Sequence, residues 1–113
     1  MLTLAAAVAI TCTVYAVHDG DTIAANCNGS RVKVRLAGID APELKLQYGH
    51  ESRDALRELV FQKQVEIRRI KRDRYRRDVS LVVVNGRDVS SAMVEGGHAW
   101  VYDQYPIKTL YPL

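Results

Sequence analysis

The sequence lacks any apolar run of the length that a membrane-spanning helix needs, about 20 residues. Its two cysteines, Cys12 and Cys27, have no Cys or His partners at the spacing of a zinc site, which argues against a metal–thiolate centre. Internal repeats, low-complexity segments and linkers are also absent. With 113 residues, of which 48% are hydrophobic, the chain is therefore predicted to form a single globular domain over residues 1–113, without a membrane partner.

Positive charge is missing from the first part of the chain, where no Lys or Arg precedes Arg31. The net charge is only +3, but Lys and Arg side chains crowd residues 68–77. Such a cluster can attract the phosphate backbone of a nucleic acid. A solvated, charged turn explains the cluster equally well, so charge alone does not identify a ligand.

The apolar stretch 2–10 is the one candidate export signal, although it lacks a basic leading region and its apolar core is short. Ala7-Val8-Ala9 resembles a cleavage site within it. Residues 1–9 are thus interpreted either as the remnant of a signal or as the lead-in to the first strand. The first alternative favours a secreted or periplasmic protein over a cytoplasmic one.

Alternation of apolar and polar residues, together with turn signals, predicts five strands and two helices. The strands are predicted at 10–18, 21–27, 31–37, 65–70 and 79–84, and the helices near 50–62 and at 89–95. Trp100 is expected in the core, and Pro106 and Pro112 make a long helix at the end of the chain improbable. This order predicts an α+β fold, a five-stranded OB-fold barrel with helices packed against it.

The first predicted hairpin brings the two cysteines together. A two-residue loop at Asp19-Gly20 makes the numbers of opposed residues sum to 39, which places Cys12 opposite Cys27. The pair then occupies a hydrogen-bonded site, with Cα atoms about 5.5 Å apart. A disulfide is predicted in an oxidising compartment, and two buried thiols in a reducing one are the alternative.

Two acidic groups lie at predicted loops, Asp19-Gly20-Asp21 and Asp40-Ala41-Pro42-Glu43. Clustered carboxylates suit a hard cation such as Ca²⁺, although turn chemistry explains each group by itself. The second hairpin, turning at Asn28-Gly29, places Arg35 opposite Thr22. Strict alternation puts Asp21 and Arg35 on opposite faces, so a bulge or strong twist at residues 19–21 is needed to join them.

Residues 17–23, 34–43, 73–77 and 89–100 together resemble the staphylococcal nuclease (thermonuclease) family. The first two segments read Val-His-Asp-Gly-Asp-Thr-Ile and Val-Arg-Leu-Ala-Gly-Ile-Asp-Ala-Pro-Glu, and the third reads Asp-Arg-Tyr-Arg-Arg. The resemblance covers about residues 12–105. It implies Ca²⁺-dependent cleavage of DNA and RNA, with single strands preferred and 3′-phosphate ends left.

The resemblance also implies a role for each matching acidic residue. Asp21 and Asp40 would bind Ca²⁺ through their carboxylates, and Ala41 would add its backbone carbonyl. Asp19 would act in the outer shell of the metal. Glu43 would lie near the attacking water as the general base.

On the substrate side, the resemblance implies that Arg35 and Arg77 grip the phosphate, which guanidinium groups match in a bidentate way. Tyr75 and Arg76 would lie near the substrate, with Arg76 standing where the family usually has Gly. Two further tyrosines would either line the nucleotide pocket or pack structurally, Tyr102 and Tyr105.

The main alternative is a module on the same barrel that binds nucleic acid or protein without catalysis. Members of the family usually continue with a third amphipathic helix, and the chain ends at Pro112-Leu113 without one. Apolar surface left uncovered there would favour self-association. A monomer is expected, and association is the alternative.

Overall fold

The computed structural model describes residues 8–102. Its elements follow one another as β1 (Ala9–Asp19), β2 (Thr22–Cys27), β3 (Ser30–Leu36), β4 (Ile39–Asp40), α1 (Gly49–Val60), β5 (Gln64–Arg72), β6 (Asp78–Val84), β7 (Arg87–Asp88), α2 (Val89–Glu95) and β8 (Trp100–Val101). The five long strands and both helices match the predicted elements to within one or two residues at most ends. No helix in this part of the chain is long and apolar enough to span a bilayer.

The five long strands form a closed barrel. Strands β3, β2, β1, β5 and β6 are neighbours in that order, and each of these pairs is antiparallel. Parallel pairing of β3 with β6, from Val34↔Asp78 to Leu36↔Ser80, closes the sheet. The short strand β7 extends β6, and β4 pairs with β8. The prediction of a five-stranded OB-like barrel with packed helices is confirmed.

The barrel encloses one main apolar core. Alternating side chains of the strands point into it, among them Val14, Ile23, Val34 and Val82, all fully buried. Helix α1 contributes Leu56 and Val60, helix α2 contributes Val89 and Met93, and the same cluster contains them all. The helices therefore complete the core that the alternation of the strands begins.

The first hairpin differs from its prediction in register. Its loop is Gly20-Asp21 rather than Asp19-Gly20, because Asp19 pairs with Thr22. Two bulges in β1, between Val14 and Ala16 and between Val17 and Asp19, then shift the register. The numbers of opposed residues sum to 41 at the pair Asp19↔Thr22 next to the loop. Beyond both bulges, at the pair Thr13↔Asn26, they sum to 39, as predicted.

Cys12 and Cys27 consequently lie opposite each other, and a disulfide joins them. Their Cα atoms are 4.5 Å apart. That separation is typical of a non-hydrogen-bonded pair, so the expected hydrogen-bonded pair with its wider spacing was wrong. The bulges changed the phase of the hydrogen-bond ladder, which simple counting from the loop cannot foresee.

Trp100 does not belong to the core. It is 51% exposed, because it lies in the two-residue strand β8 that pairs with β4 at the margin of the barrel. The expectations about Tyr105, the prolines at 106 and 112 and a missing third helix concern residues outside the described range. The same holds for residues 1–7 of the candidate signal, whereas β1 already begins at Ala9.

Removing the disulfide should destabilise the fold. The cysteines are 15 residues apart, and closing a loop of that length constrains the unfolded chain by about 3 kcal/mol. We expect reductant to lower the free energy of unfolding in urea by about this amount. The double variant Cys12→Ala/Cys27→Ala should have the lower stability with or without reductant. Equal unfolding midpoints for oxidised and reduced protein would contradict the bond.

Candidate active site

The candidate site begins at the Gly20-Asp21 loop. Asp21 is 6% exposed. Its Oδ1 accepts a hydrogen bond from Thr22 Oγ1 at 2.9 Å, and its Oδ2 accepts one from the Ala41 amide at 3.0 Å. The Asp21 amide donates to Asp19 Oδ1 at 3.0 Å. The loop thus holds a buried carboxylate against the backbone at residue 41.

Glycine at position 20 allows this close approach. A Cβ atom there would overlap Ser52 Oγ in helix α1 and lie 2.8 Å from Ala41 Cβ. Any side chain would push the loop away from residue 41, so the glycine sets the distance between the two acidic segments. Sequence reasoning read Asp-Gly only as a turn signal and missed this packing role.

Arg35 joins the two acidic groups. Its Nη1 donates to the carbonyls of Leu36 at 2.7 Å and Ile39 at 2.8 Å. Its Nη2 lies 3.3 Å from Asp40 Oδ1 and 3.5 Å from Asp21 Oδ2. The guanidinium is therefore fixed by the backbone on one side and by two carboxylates on the other.

The structure thus brings Asp21, Arg35 and Asp40 to one place. The predicted pairing of Thr22 with Arg35 is observed. The bulge beside Asp19 and the position of Asp21 within the loop release it from the alternation of β2. This is why Asp21 can meet an arginine that would otherwise lie on the opposite face.

The acidic pair has the chemistry of a cation site. Asp21 Oδ2 and Asp40 Oδ1 accept from the same Ala41 amide, at 3.0 and 3.1 Å, so oxygens of two different carboxylates converge. Within residues 8–102, no three Asp, Glu, His or Cys side chains gather at metal-binding distance. A hard cation here would take the two carboxylates and the Ala41 carbonyl, with waters completing its oxygen shell.

Electrostatics favour a cation at the same place. Burial raises the pKa of Asp21 to about 7, with the nearby Asp19 carboxylate adding to the effect and the Arg35 guanidinium opposing it. A buried acid with a raised pKa carries a charge that its protein neighbours do not fully compensate. A cation bound at this place would lower that pKa.

The second arginine of the site, Arg77, is held by the turn between β5 and β6. Asp73 Oδ1 accepts from the amides of Tyr75 and Arg77, each at 2.9 Å, and its Oδ2 accepts from Arg77 Nε at 2.8 Å. Burial works to raise the pKa of Asp73, but the hydrogen bonds from Arg77 and Tyr75 outweigh it and hold the pKa below its usual value. Asp73 thereby anchors both the turn and its arginine.

Arg77 reaches the acidic pair through Thr22. Its Nη1 lies 3.5 Å from Thr22 Oγ1, which itself donates to Asp21. Arg76 has the left-handed φ of 62°, which explains why a glycine suits this position, and its side chain is exposed. Sequence reasoning named Arg77 but missed Thr22 as a bridge and Asp73 as the anchor. An Asp at the start of a turn was the available signal for the anchor.

The other predicted site residues lie around this network at its surface. Tyr75 is 63% exposed, with the guanidinium carbons of Arg74 and Arg77 at 5.2 and 5.3 Å from its ring centre. The Tyr102 amide donates to the Gly38 carbonyl, and its side chain is half-exposed. Tyr105 lies outside the described residues.

Glu43 is exposed, and within the described part of the chain its carboxylate forms no hydrogen bond or ion pair with Asp21, Arg35 or Asp40. Its backbone carbonyl accepts from the Leu46 amide at 2.9 Å, and Gly49 packs against that carbonyl. The backbone at residue 43 is thus fixed just after the acidic segment, while the carboxylate is exposed rather than held by the network.

Sequence comparisons agree with this geometry. A model of the family "Staphylococcal nuclease homologue" matches residues 33–111. The chain belongs to the staphylococcal nuclease family.

Relatives in the family include a protein named "Uncharacterized endonuclease" from Haemophilus influenzae, 40% identical over 102 residues, which are 89% of this chain and 57% of that protein. A protein of the same name from Escherichia coli O157:H7 is 42% identical over 88% of this chain and 66% of its own length. The "Micrococcal nuclease" of Shigella flexneri is 35% identical over 81% of this chain and 58% of its own length. The chain thus spans about half to two thirds of these relatives.

Replacing Asp73 tests the anchoring of Arg77. Asp73→Asn keeps the volume and the acceptor for the backbone amides but removes the charge that holds Arg77 Nε. We expect the Arg77 side chain to lose its fixed position, because the hydrogen bond to the charged Asp73 carboxylate contributes about 1.5–3 kcal/mol. NMR relaxation of the Arg77 Nε–H group, which reports how rigidly the side chain is held, measures this, and an unchanged rigidity would contradict the anchoring. Asp54→Asn, which removes an exposed carboxylate bonded to Arg53 on helix α1, is the matched control.

Proposed function

We propose that the chain is a calcium-dependent endonuclease that hydrolyses phosphodiester bonds of DNA and RNA, preferring single strands and leaving 3′-phosphate ends. The observation that carries the proposal is the continuous network Arg77–Thr22–Asp21–Arg35–Asp40. It combines two permanently charged guanidiniums with a converging pair of carboxylates. A phosphodiester anion needs the first, and a cation that assists its hydrolysis needs the second.

Asp21, Asp40 and the Ala41 carbonyl would hold Ca²⁺. When bound, the ion would polarise a phosphoryl oxygen and help to orient water. The raised pKa of Asp21 supports this role, because the cation would replace the proton that burial otherwise favours.

Arg35 and Arg77 would bind the non-bridging phosphate oxygens. The Asp73 carboxylate and the backbone carbonyls at 36 and 39 fix the two side chains before substrate arrives. Groups fixed in advance stabilise the extra negative charge of the transition state without reorganising. Removing one such group typically costs about 10²–10³ in rate.

Glu43 would take a proton from the attacking water. Its carboxylate is exposed and lies three residues after Asp40, one of the proposed cation ligands, which supports a role beside the cation. The water oxygen bonds to phosphorus, and the bond from phosphorus to the 5′ oxygen breaks. The leaving 5′ oxygen would take up the proton that Glu43 removed from the water, passed on by Glu43 or by solvent, and the phosphate would stay on the 3′ side.

An oxidising compartment, outside the cell or in a periplasm, is part of the proposal. The Cys12–Cys27 bond supports it, because structural disulfides persist in such compartments and are rare in the cytosol.

Cleavage of a single-stranded oligodeoxynucleotide tests the proposed activity. We expect cutting in Ca²⁺, none in a chelator, and products that a polymerase extends only after phosphatase treatment. Arg35→Ala and Arg77→Ala should each retain well under a tenth of the activity. Arg53→Ala, in an exposed pair with Asp54 on helix α1, is the matched control and should cut like the unchanged protein.

Two other outcomes are informative. Cutting by both arginine variants at wild-type rates would contradict the assigned roles. Binding of DNA without cutting, by a folded protein in Ca²⁺, would favour the non-catalytic module. One feature of the structure fits this non-catalytic alternative. Both Arg35 Nη atoms already contact protein groups, as they would in a module that does not use Arg35 in catalysis.

A further inference from the structure

A row of basic side chains leads away from the candidate site along β3. Arg31, Lys33 and Arg35 alternate with residues that face the core, so all three lie on the outer face of the sheet. Arg31 and Lys33 are exposed. Within residues 8–102 neither of them forms an ion pair, so their charges are available to a ligand.

The geometry of the row follows from the strand. Side chains two residues apart on one face are about 6.6 Å apart, so Arg31 lies about 13 Å from Arg35. The spacing of about 6.6 Å between neighbouring side chains of the row is of the same order as the separation of successive phosphates in an extended single strand. The residues opposite the row on β2 are Thr22, Ala24 and Asn26. They are short, and none of them is charged.

An aromatic side chain lies at the far end of the row. Tyr15 is at the first bulge of β1 and is 43% exposed. The Arg31 guanidinium lies 5.5 Å from the centre of its ring. Both residues line a shallow depression of about 540 Å³, with the hydroxyl of Thr13 and the amides of Asn26 and Asn28. Bulges commonly redirect a side chain, and at this bulge the Tyr15 ring meets Arg31 of β3.

We infer that this surface, Tyr15 with Arg31 and Lys33, binds the part of a single-stranded nucleic acid that extends beyond the scissile phosphate. Lys33 and Arg31 contact successive phosphates, and an unpaired base stacks on Tyr15. The inference rests on the proposed function only in taking Arg35 as the phosphate site at which the row ends.

The chemistry selects a single strand. A base can stack on Tyr15 only if its face is not covered by the pairs of a duplex, and hydroxyl and amide groups around the ring can accept or donate to any base edge. The basic row supplies the backbone contacts that are independent of sequence. The same side of an OB barrel, the face of its second and third strands, is a common site for oligonucleotides.

Binding of oligothymidylates, measured by fluorescence anisotropy in a chelator, tests the inference without any cleavage. Tyr15→Ser should weaken the binding of an octanucleotide by about tenfold, because one stacked base is lost. Arg31→Gln/Lys33→Gln should weaken it too and should reduce the salt dependence by about 0.7 per phosphate contact removed. A dinucleotide is too short to reach Tyr15 from Arg35, so Tyr15→Ser should not change its affinity.

Arg87→Gln is the matched control, because it removes an exposed arginine that pairs with Glu95 away from the row. Its affinity for the octanucleotide should equal that of the unchanged protein at moderate salt. If Tyr15→Ser and the double variant also bind the octanucleotide unchanged, the inference is overturned.

Cleavage of DNA by the unchanged protein in Ca²⁺ is measured separately. A protein that binds through this surface but does not cut would refute only the proposed function, and one that cuts without using the surface would refute only the inference.

Discussion

The buried carboxylate of Asp21 is the constraint on which the site depends. It lies in the two-residue loop of the first hairpin, where an acid would ordinarily face solvent, yet it is enclosed by the backbone at 41 and by Arg35. Burying a charge is costly unless it is paired, and one arginine shared with Asp40 pays only part of that cost. The proposed cation would supply the remaining positive charge.

The barrel closes around this carboxylate. The Leu36 amide donates to the Asp21 carbonyl at 2.8 Å, and the Ala37 amide donates to the Ser80 carbonyl at 2.9 Å. The parallel pairing of β3 with β6 therefore fixes the end of β3, from which Arg35 projects. The same pairing brings the turn before β6 next to β2, so that Arg77 meets Thr22. Closure of the sheet and assembly of the site are consequences of the same few backbone contacts.

Much of the fold could be predicted from the sequence, because the alternation in β3 and β5 and the turn signals at 28–29 and 85–86 each have one simple interpretation. The bulges in β1 could not, since no local pattern marks either register shift, and the close packing of Gly20 against Ser52 and Ala41 joins residues far apart in the sequence. The predicted loop was wrong, yet the predicted opposition of the two cysteines was right. The two bulges shift the register by the amount that compensates for the error in the loop.

The sequence predicted which residues belong to the candidate site better than it predicted how they contact one another. The resemblance to a known family supplied Asp21, Arg35, Asp40 and Arg77, and the structure brings these four into one network. The anchoring of Arg77 by Asp73 required the turn in three dimensions. The exposure of Trp100 likewise followed from the pairing of two short strands, which no local pattern reveals.

The most direct measurement is the free energy of unfolding as a function of pH, in a chelator and in Ca²⁺, for the unchanged protein and Asp21→Asn. Without the cation, a pKa raised to about 7 in the folded state means that the folded protein binds more protons than the unfolded one, so stability should fall as the pH rises from about 4 to about 7. Calcium should restore the lost stability at neutral pH, and Asp21→Asn should lack both effects. Identical pH profiles for the two proteins, with no response to Ca²⁺, would contradict a buried carboxylate kept for a cation.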